Sequence, residues 1–213
     1  MTLIAVLDYG IGNLRSAQKA LEHVGADARL TADPGLIRDA AGVVLPGVGA
    51  FGRCMDALQA SGLDQLAIEA AGSGRPFAGI CVGMQLLYEG SEESPGVSGL
   101  GILAGKVRWL PDTVKRPQMQ WNKLDVVRPS TLLAGLDDPT DPAWVYFVHS
   151  FAAEDTANVI ATCDYGGPVC AVVERGNVVA TQFHPEKSAT NGLRLLRNFV
   201  DGAAAPAIGA PSA

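Results

Sequence analysis

The sequence predicts an α/β fold: a mostly parallel central sheet flanked by helices, with antiparallel strands added in the C-terminal half. Three observations carry this. Up to Glu89, short continuous apolar runs alternate with helical patterns, as expected of parallel strands buried on both faces. Glycine-bearing turns follow three of those runs, at Asp8–Asn13, Pro46–Phe51 and Gly79–Gly83. Beyond Glu89 the texture changes to closely spaced strand-like runs and one closing helix.

In order, Leu3–Leu7 reads as a first buried strand. The turn Asp8-Tyr9-Gly10-Ile11-Gly12-Asn13 leads to a helix with Leu14, Ala17, Leu21 and Val24 on one face. Gly25 suits its C-terminal cap, and His23 near that end reads as a solvated or capping cation. The turn's G-x-G-N lacks the third glycine of a dinucleotide fingerprint, so nucleotide binding is not favoured. Ala26–Thr31 is a second strand. Asp33 caps a short helix with Pro34 at its first position. Gly42–Leu45 is the third strand, followed by helices over Phe51–Ala60 and Leu63–Ala71. Pro76–Ile80 is the fourth strand, and Met84, Leu86, Leu87 and Tyr88 form a helical run directly after it.

Ser91–Gly99, acidic and rich in Ser, Pro and Gly, reads as a surface loop. Strand-like runs follow at Gly105–Leu110, Leu124–Val127, Val145–Val148, Val159–Cys163, Val169–Glu174 and Val178–Phe183. Arg175-Gly176-Asn177 joins the last two as a hairpin. These runs are expected to extend the same sheet with antiparallel strands. Ser188–Val200 closes the chain as a helix. Residues 1–201 thus read as one domain, and 202–213, all Ala, Pro, Gly, Ser and Ile, as a disordered tail.

The 213 residues are 48% hydrophobic and 18% charged, enough for a full core. A net charge of −6 argues against nucleic acid or an anionic membrane as the main partner. No apolar run approaches the roughly 20 residues of a membrane span, and the N-terminus lacks the pattern of a secretory signal. A cytoplasmic location is expected. Cys54, Cys81, Cys163 and Cys170 have no CxxC spacing, so neither structural zinc nor a disulfide framework is expected.

Chemistry centres on Cys81. Gly79-Ile80-Cys81-Val82-Gly83 stands between strand and helix and fits the nucleophile-elbow pattern with cysteine in place of serine. The glycines permit a sharp turn, and the helix N-terminus favours thiolate over thiol. Taken alone, Cys81 reads equally well as a buried structural cysteine. A nucleophile needs a base. His149 ends one strand-like run, and His184 ends another in Gln182-Phe183-His184-Pro185-Glu186-Lys187-Ser188. Glu186, two residues on, is placed to orient His184 and stabilise its cation. Taken alone, that pair also reads as a strand-end histidine with a capping glutamate. Together with the elbow, the order Cys, His, Glu points to covalent catalysis, with the acid following the histidine rather than preceding it.

GICVGMQLL followed by HPEKS resembles the class I (triad) glutamine amidotransferases. PGVGAF at 46–51, SEESPGV at 91–97, YFVHSF at 146–151 and QFHPEKS at 182–188 narrow the resemblance to the glutaminase subunit of imidazole glycerol phosphate synthase. It runs from Leu3 to about Val200. It implies a flavodoxin-like sheet and hydrolysis of L-glutamine at Cys81, with His184 shuttling the proton and Glu186 orienting it. It implies an oxyanion hole from the backbone N–H groups of Val82, Val48 and Gly49. Gln85, Glu93, His149, Ser150 and Phe151 match substrate-contacting positions, some of them through the backbone; composition alone reads Glu93 as part of a solvated acidic loop. No metal or organic cofactor is implied. The implied partner is a (β/α)8-barrel cyclase subunit in a heterodimer of histidine biosynthesis, with Asn13, Trp121, Asn122 and Lys187 at or near the interface. From sequence alone, Trp121 reads equally well as a core aromatic.

The chain departs from the family pattern P-H-M-G-W-N, having Pro117-Gln118-Met119-Gln120-Trp121-Asn122. Val82 stands where leucine is usual and Phe151 where tyrosine is usual. Rival readings are another triad glutaminase, of the pyridoxal-phosphate synthase or anthranilate synthase type, a cysteine hydrolase, and a catalytically idle regulatory partner.

Overall fold

The computed structural model describes residues 1–154 and 157–205. The strands are β1 Leu3–Leu7, β2 Asp27–Thr31, β3 Gly42–Gly47, β4 Phe77–Cys81, β5 Gly90–Ser91, β6 Lys106–Trp109, β7 Gln118–Lys123, β8 Asp125–Val126, β9 Trp144–His149, β10 Phe151–Ala153, β11 Val159–Asp164, β12 Pro168–Arg175 and β13 Val178–Thr181. The α-helices are α1 Leu14–His23, α2 Pro34–Asp39, α3 Phe51–Ala60, α4 Leu63–Gly72, α5 Val82–Gln85 and α6 Ala189–Ala204.

Eight strands form the main sheet in the order β2-β1-β3-β4-β13-β12-β11-β8. The first five are mutually parallel, and the last three continue it antiparallel. β1, β3 and β4 bury nearly every residue, which is why they read as unbroken apolar runs rather than alternating ones. With this strand order, the right-handed crossovers that parallel strands require assign α1 to one face and α2, α3 and α4 to the other. α6 packs beside α1, and α4 packs against α2 and α3. Among the described residues, no helix is long and apolar enough to cross a membrane.

Several local expectations hold. The Asp33 side chain accepts the Leu36 N–H at 2.7 Å, with Pro34 opening α2. The turn at Gly176, φ 59, joins β12 to β13.

Others are corrected. β12, β11 and β8 extend the main sheet antiparallel as expected, but not every C-terminal strand joins it that way. β13 inserts parallel to β4, while β10-β6-β5 and β7-β9 form small separate sheets. The helix after Cys81 is a single turn. Residues Val82 through Tyr88 are all buried, so no polar stripe marks a helix face. The Leu86 and Leu87 carbonyls accept the Leu100 and Leu103 N–H groups at 2.8 Å each, so tertiary bonds replace those that would prolong the helix. The closing helix runs past Val200 to Ala204, burying Ala203. The rest of the expected tail, 206–213, lies outside the described residues.

Candidate active site

The parallel strands β3, β4 and β13 lie side by side, with Gly47 opposite Cys81 and Ile80 opposite Thr181. Their carboxyl-end loops therefore converge, where open α/β sheets bind ligands. A cavity of about 420 Å³ opens there. Every residue given a nucleophile, base, oxyanion or substrate role by sequence lines it, as do Asn13 and Lys187. Glu186 stands behind His184.

Cys81 is 4% exposed and has φ 56, ψ −113, a left-handed conformation costing a side chain about 1–3 kcal/mol. The turn exists because its neighbours carry no Cβ. One added at Gly79 would stand 3.0 Å from the Gly83 carbonyl oxygen, and one at Gly83 would overlap the Leu45 carbonyl oxygen. The thiol sits at the N-terminal cap of α5, a turn too short to supply a helix field of its own.

His184 is buried, its Nδ1 2.8 Å from Glu186 Oε1. Burial opposes charge on this imidazole. Hydrogen bonding with the Cys81 sulfur and with Glu186 outweighs it, and the pKa is pushed up to about 10. His149 behaves oppositely. Burial pushes it down to about 4, against the hydrogen bond from its Nδ1 to the Phe151 carbonyl, 2.8 Å long. A carbonyl only accepts, so Nδ1 carries the proton, and the lone pair is on Nε2.

Gln85, Gln182 and Phe151 knit the floor. Gln85 Nε2 donates to the Phe151 carbonyl at 3.1 Å and to Gln182 Oε1 at 3.0 Å, and Gln182 Nε2 points at the Cys81 sulfur from 3.9 Å. Sequence reasoning gave Gln182 no role. Its place two residues before His184 was the signal, because alternation along an extended segment turns both to one side. Glu93 is no solvated loop charge: half-buried, it lines the cavity and accepts the Phe51 N–H at the start of α3 at 2.7 Å. Phe151 packs its ring on Trp109, centroids 4.0 Å apart.

Beside the cavity, β7 and β9 present an apolar outer face. Met119 pairs with Val148, and Trp121 with Tyr146. Trp121 is 45% exposed, which removes the core-aromatic reading. Asn122 alternates inward: it is buried and donates to the Asp164 carbonyl at 2.9 Å. It thus faces the opposite side of β7 from Trp121. Gln118 also turns inward, opposite His149.

Comparison with known proteins agrees with this geometry. The glutamine amidotransferase class-I family matches residues 5–203, and the chain belongs to that family. Within it, the chain falls among proteins named imidazole glycerol phosphate synthase subunit HisH. It is 49% identical to that of Syntrophotalea carbinolica, over 93% of this chain and 100% of the relative. It is 48% identical to that of Methanothermobacter thermautotrophicus, over 93% and 98%. In fold it resembles a glutamine amidotransferase crystal structure, with a TM-score of 0.74 at 21% identity over 95% of this chain and 99% of the other. It likewise resembles a PurLQS structure from Thermotoga maritima, with a TM-score of 0.73 at 21% identity over 94% and 98%.

Proposed function

We propose that this chain hydrolyses L-glutamine to glutamate and ammonia through a thioester on Cys81. The ammonia passes to a (β/α)8-barrel cyclase subunit, which makes imidazole glycerol phosphate and aminoimidazole carboxamide ribotide in histidine biosynthesis. One observation carries this reading: a cysteine in a strained turn, with a glutamate-held imidazole against its sulfur, in a chain whose relatives are named subunits of imidazole glycerol phosphate synthase.

The sulfur attacks the side-chain carboxamide carbon of glutamine, and charge develops on its oxygen. N–H groups of Val82, Val48 and Gly49 serve that oxyanion. The C–N bond breaks as His184 gives its proton to the departing nitrogen, leaving ammonia and the thioester. Water then adds, losing its proton to His184, and the C–S bond breaks to give glutamate and restore Cys81. Glu186 holds the ring and its cationic form throughout. Glu93 suits the substrate's α-ammonium. Gln85, His149, Ser150 and Phe151 frame the rest. Asn13 and Lys187 at the cavity, with Trp121 on the β7–β9 outer face, form the partner side. A cytoplasmic setting belongs to the same reading, in keeping with four cysteines of which none forms a disulfide.

The test is to mix the chain with a histidine-pathway cyclase and its nucleotide ligand and to measure glutamate release. Release should rise steeply on mixing. Cys81→Ala should lose glutamine-dependent synthesis while the complex keeps ammonia-dependent synthesis. A variant that kept glutamine-dependent turnover would overturn the nucleophile assignment; fast release by the chain alone would point to another subclass.

A further inference from the structure

We infer that Tyr9 and Cys54 are positioning residues for residues 46–49, the end of β3 and the loop that leaves it, and thus for the N–H groups of Val48 and Gly49; the inference rests on the glutaminase reading above. Both side chains are buried, and neither lines the cavity. The Tyr9 hydroxyl donates to the Pro46 carbonyl at 2.7 Å. The Cys54 thiol donates to the Val48 carbonyl at 3.4 Å.

The two anchors come from different elements, Tyr9 from the turn after β1 and Cys54 from α3. They hold alternate peptide planes of the loop, Pro46–Gly47 and Val48–Gly49. In a trans peptide the carbonyl and the following N–H share a plane and point in opposite directions. Fixing the Val48 carbonyl toward α3 therefore turns the Gly49 N–H away from α3. The Gly47–Val48 peptide, which carries the Val48 N–H, is confined between two anchored neighbours.

Packing leaves this segment little slack. A Cβ at Gly47 would stand 2.7 Å from the Gly83 nitrogen and 3.0 Å from the Tyr9 hydroxyl. The loop is thus pressed between the Cys81 elbow and Tyr9. Burial pushes the Tyr9 phenol well above its ordinary value and the Cys54 thiol up as well, so both keep the proton they donate. Removing either donor strands a carbonyl that the loop must shift to satisfy. Such a shift displaces the oxyanion donors first, while the imidazole and the groups that hold the rest of the substrate lie on other segments.

The experiment assembles the full chain with the cyclase partner and compares the wild type with Tyr9→Phe, Cys54→Ala and Cys54→Ser. It reads kcat and KM for glutamate release, and the rate at which iodoacetamide alkylates Cys81. Tyr9→Phe should lower kcat about tenfold, the scale of a modest misplacement of catalytic groups, with KM and alkylation nearly unchanged. Cys54→Ala should lower kcat about threefold, the thiol being a weak donor, and Cys54→Ser should recover most of it. The inference is overturned if Tyr9→Phe keeps its kcat, if KM rises in proportion, or if alkylation slows alongside, since a general loosening of the fold would do the last. A wild-type complex that released no glutamate would instead overturn the glutaminase reading, and this inference with it.

Discussion

His184 and Glu186 share a single bond, Nδ1 to Oε1 at 2.8 Å, while Glu186 Oε2 is buried without a hydrogen-bond partner among the described residues. The carboxylate's polar support is therefore concentrated on one imidazole nitrogen. Glu186→Gln keeps the shape and removes the charge that favours the imidazolium. It also lets an amide N–H face Nδ1, which selects the wrong tautomer. Glutamate release by the complex should fall on the order of a hundredfold or more in kcat, as when an orienting acid is neutralised, with KM nearly unchanged. A loss below tenfold would show that Glu186 is not the orienting acid.

His149 supplies a pH dependence of stability. Its folded pKa of about 4 lies below the ordinary 6.5. Between these values the unfolded chain binds a proton that the folded chain does not. Stability is therefore lost as pH falls from 6.5 toward 4, by about 1.4 kcal/mol per pH unit from this group. His149→Asn keeps a donor for the Phe151 carbonyl and removes the titration. Urea unfolding of both proteins across that window should show the variant with the shallower acid slope. Parallel slopes would mean that His149 titrates normally in the fold.

The elbow's backbone can be tested without touching chemistry. At Gly83 a methyl group would overlap the Leu45 carbonyl oxygen, a backbone atom held in β3. Gly83→Ala should cost about 3 kcal/mol, the upper part of the overpacking range, read as a lowered Tm. Gly72→Ala, with open space around its Cβ position, serves as the control. Equal Tm values for the two variants would contradict the close approach.

Trp121 stands on an outer face that continues to Val148 at the cavity. If that face meets the cyclase, Trp121→Ala should weaken binding by about 2 kcal/mol, as for an aromatic anchor, without lowering the chain's Tm. Asn122→Ala should do the reverse, because it strands the Asp164 carbonyl. Titration calorimetry alongside thermal unfolding separates the two. Unchanged affinity in Trp121→Ala would move the interface elsewhere.

Much of the fold and site was legible because it is local. β1, β3 and β4 announce themselves as unbroken apolar runs, and Cys81, His184 and Glu186 lie in two short segments that point to covalent catalysis only when read together. What escaped is set by long-range geometry. β7 hides because its polarity is inverted: Gln118 and Asn122 face inward, Met119 and Trp121 outward. α5 is cut short by hydrogen bonds from Leu100 and Leu103. Gln182 and Tyr9 gain their meaning from partners far along the chain, Cys81 and Pro46, which no periodicity reveals.

The sheet order has a consequence for how the protein is made. β4 ends in the thiol, yet its neighbour on the side away from β3 is β13, the last strand in chain order. A ribosome therefore releases the cysteine long before its base exists. Until β13 emerges, Phe77–Cys81 is an open edge of apolar side chains and unpaired backbone N–H and C=O groups, the kind that recruits strands from other chains. A premature stop upstream of Val178 should therefore yield an aggregating sheet with a thiol at its rim, recovered in the insoluble fraction, rather than a sluggish enzyme.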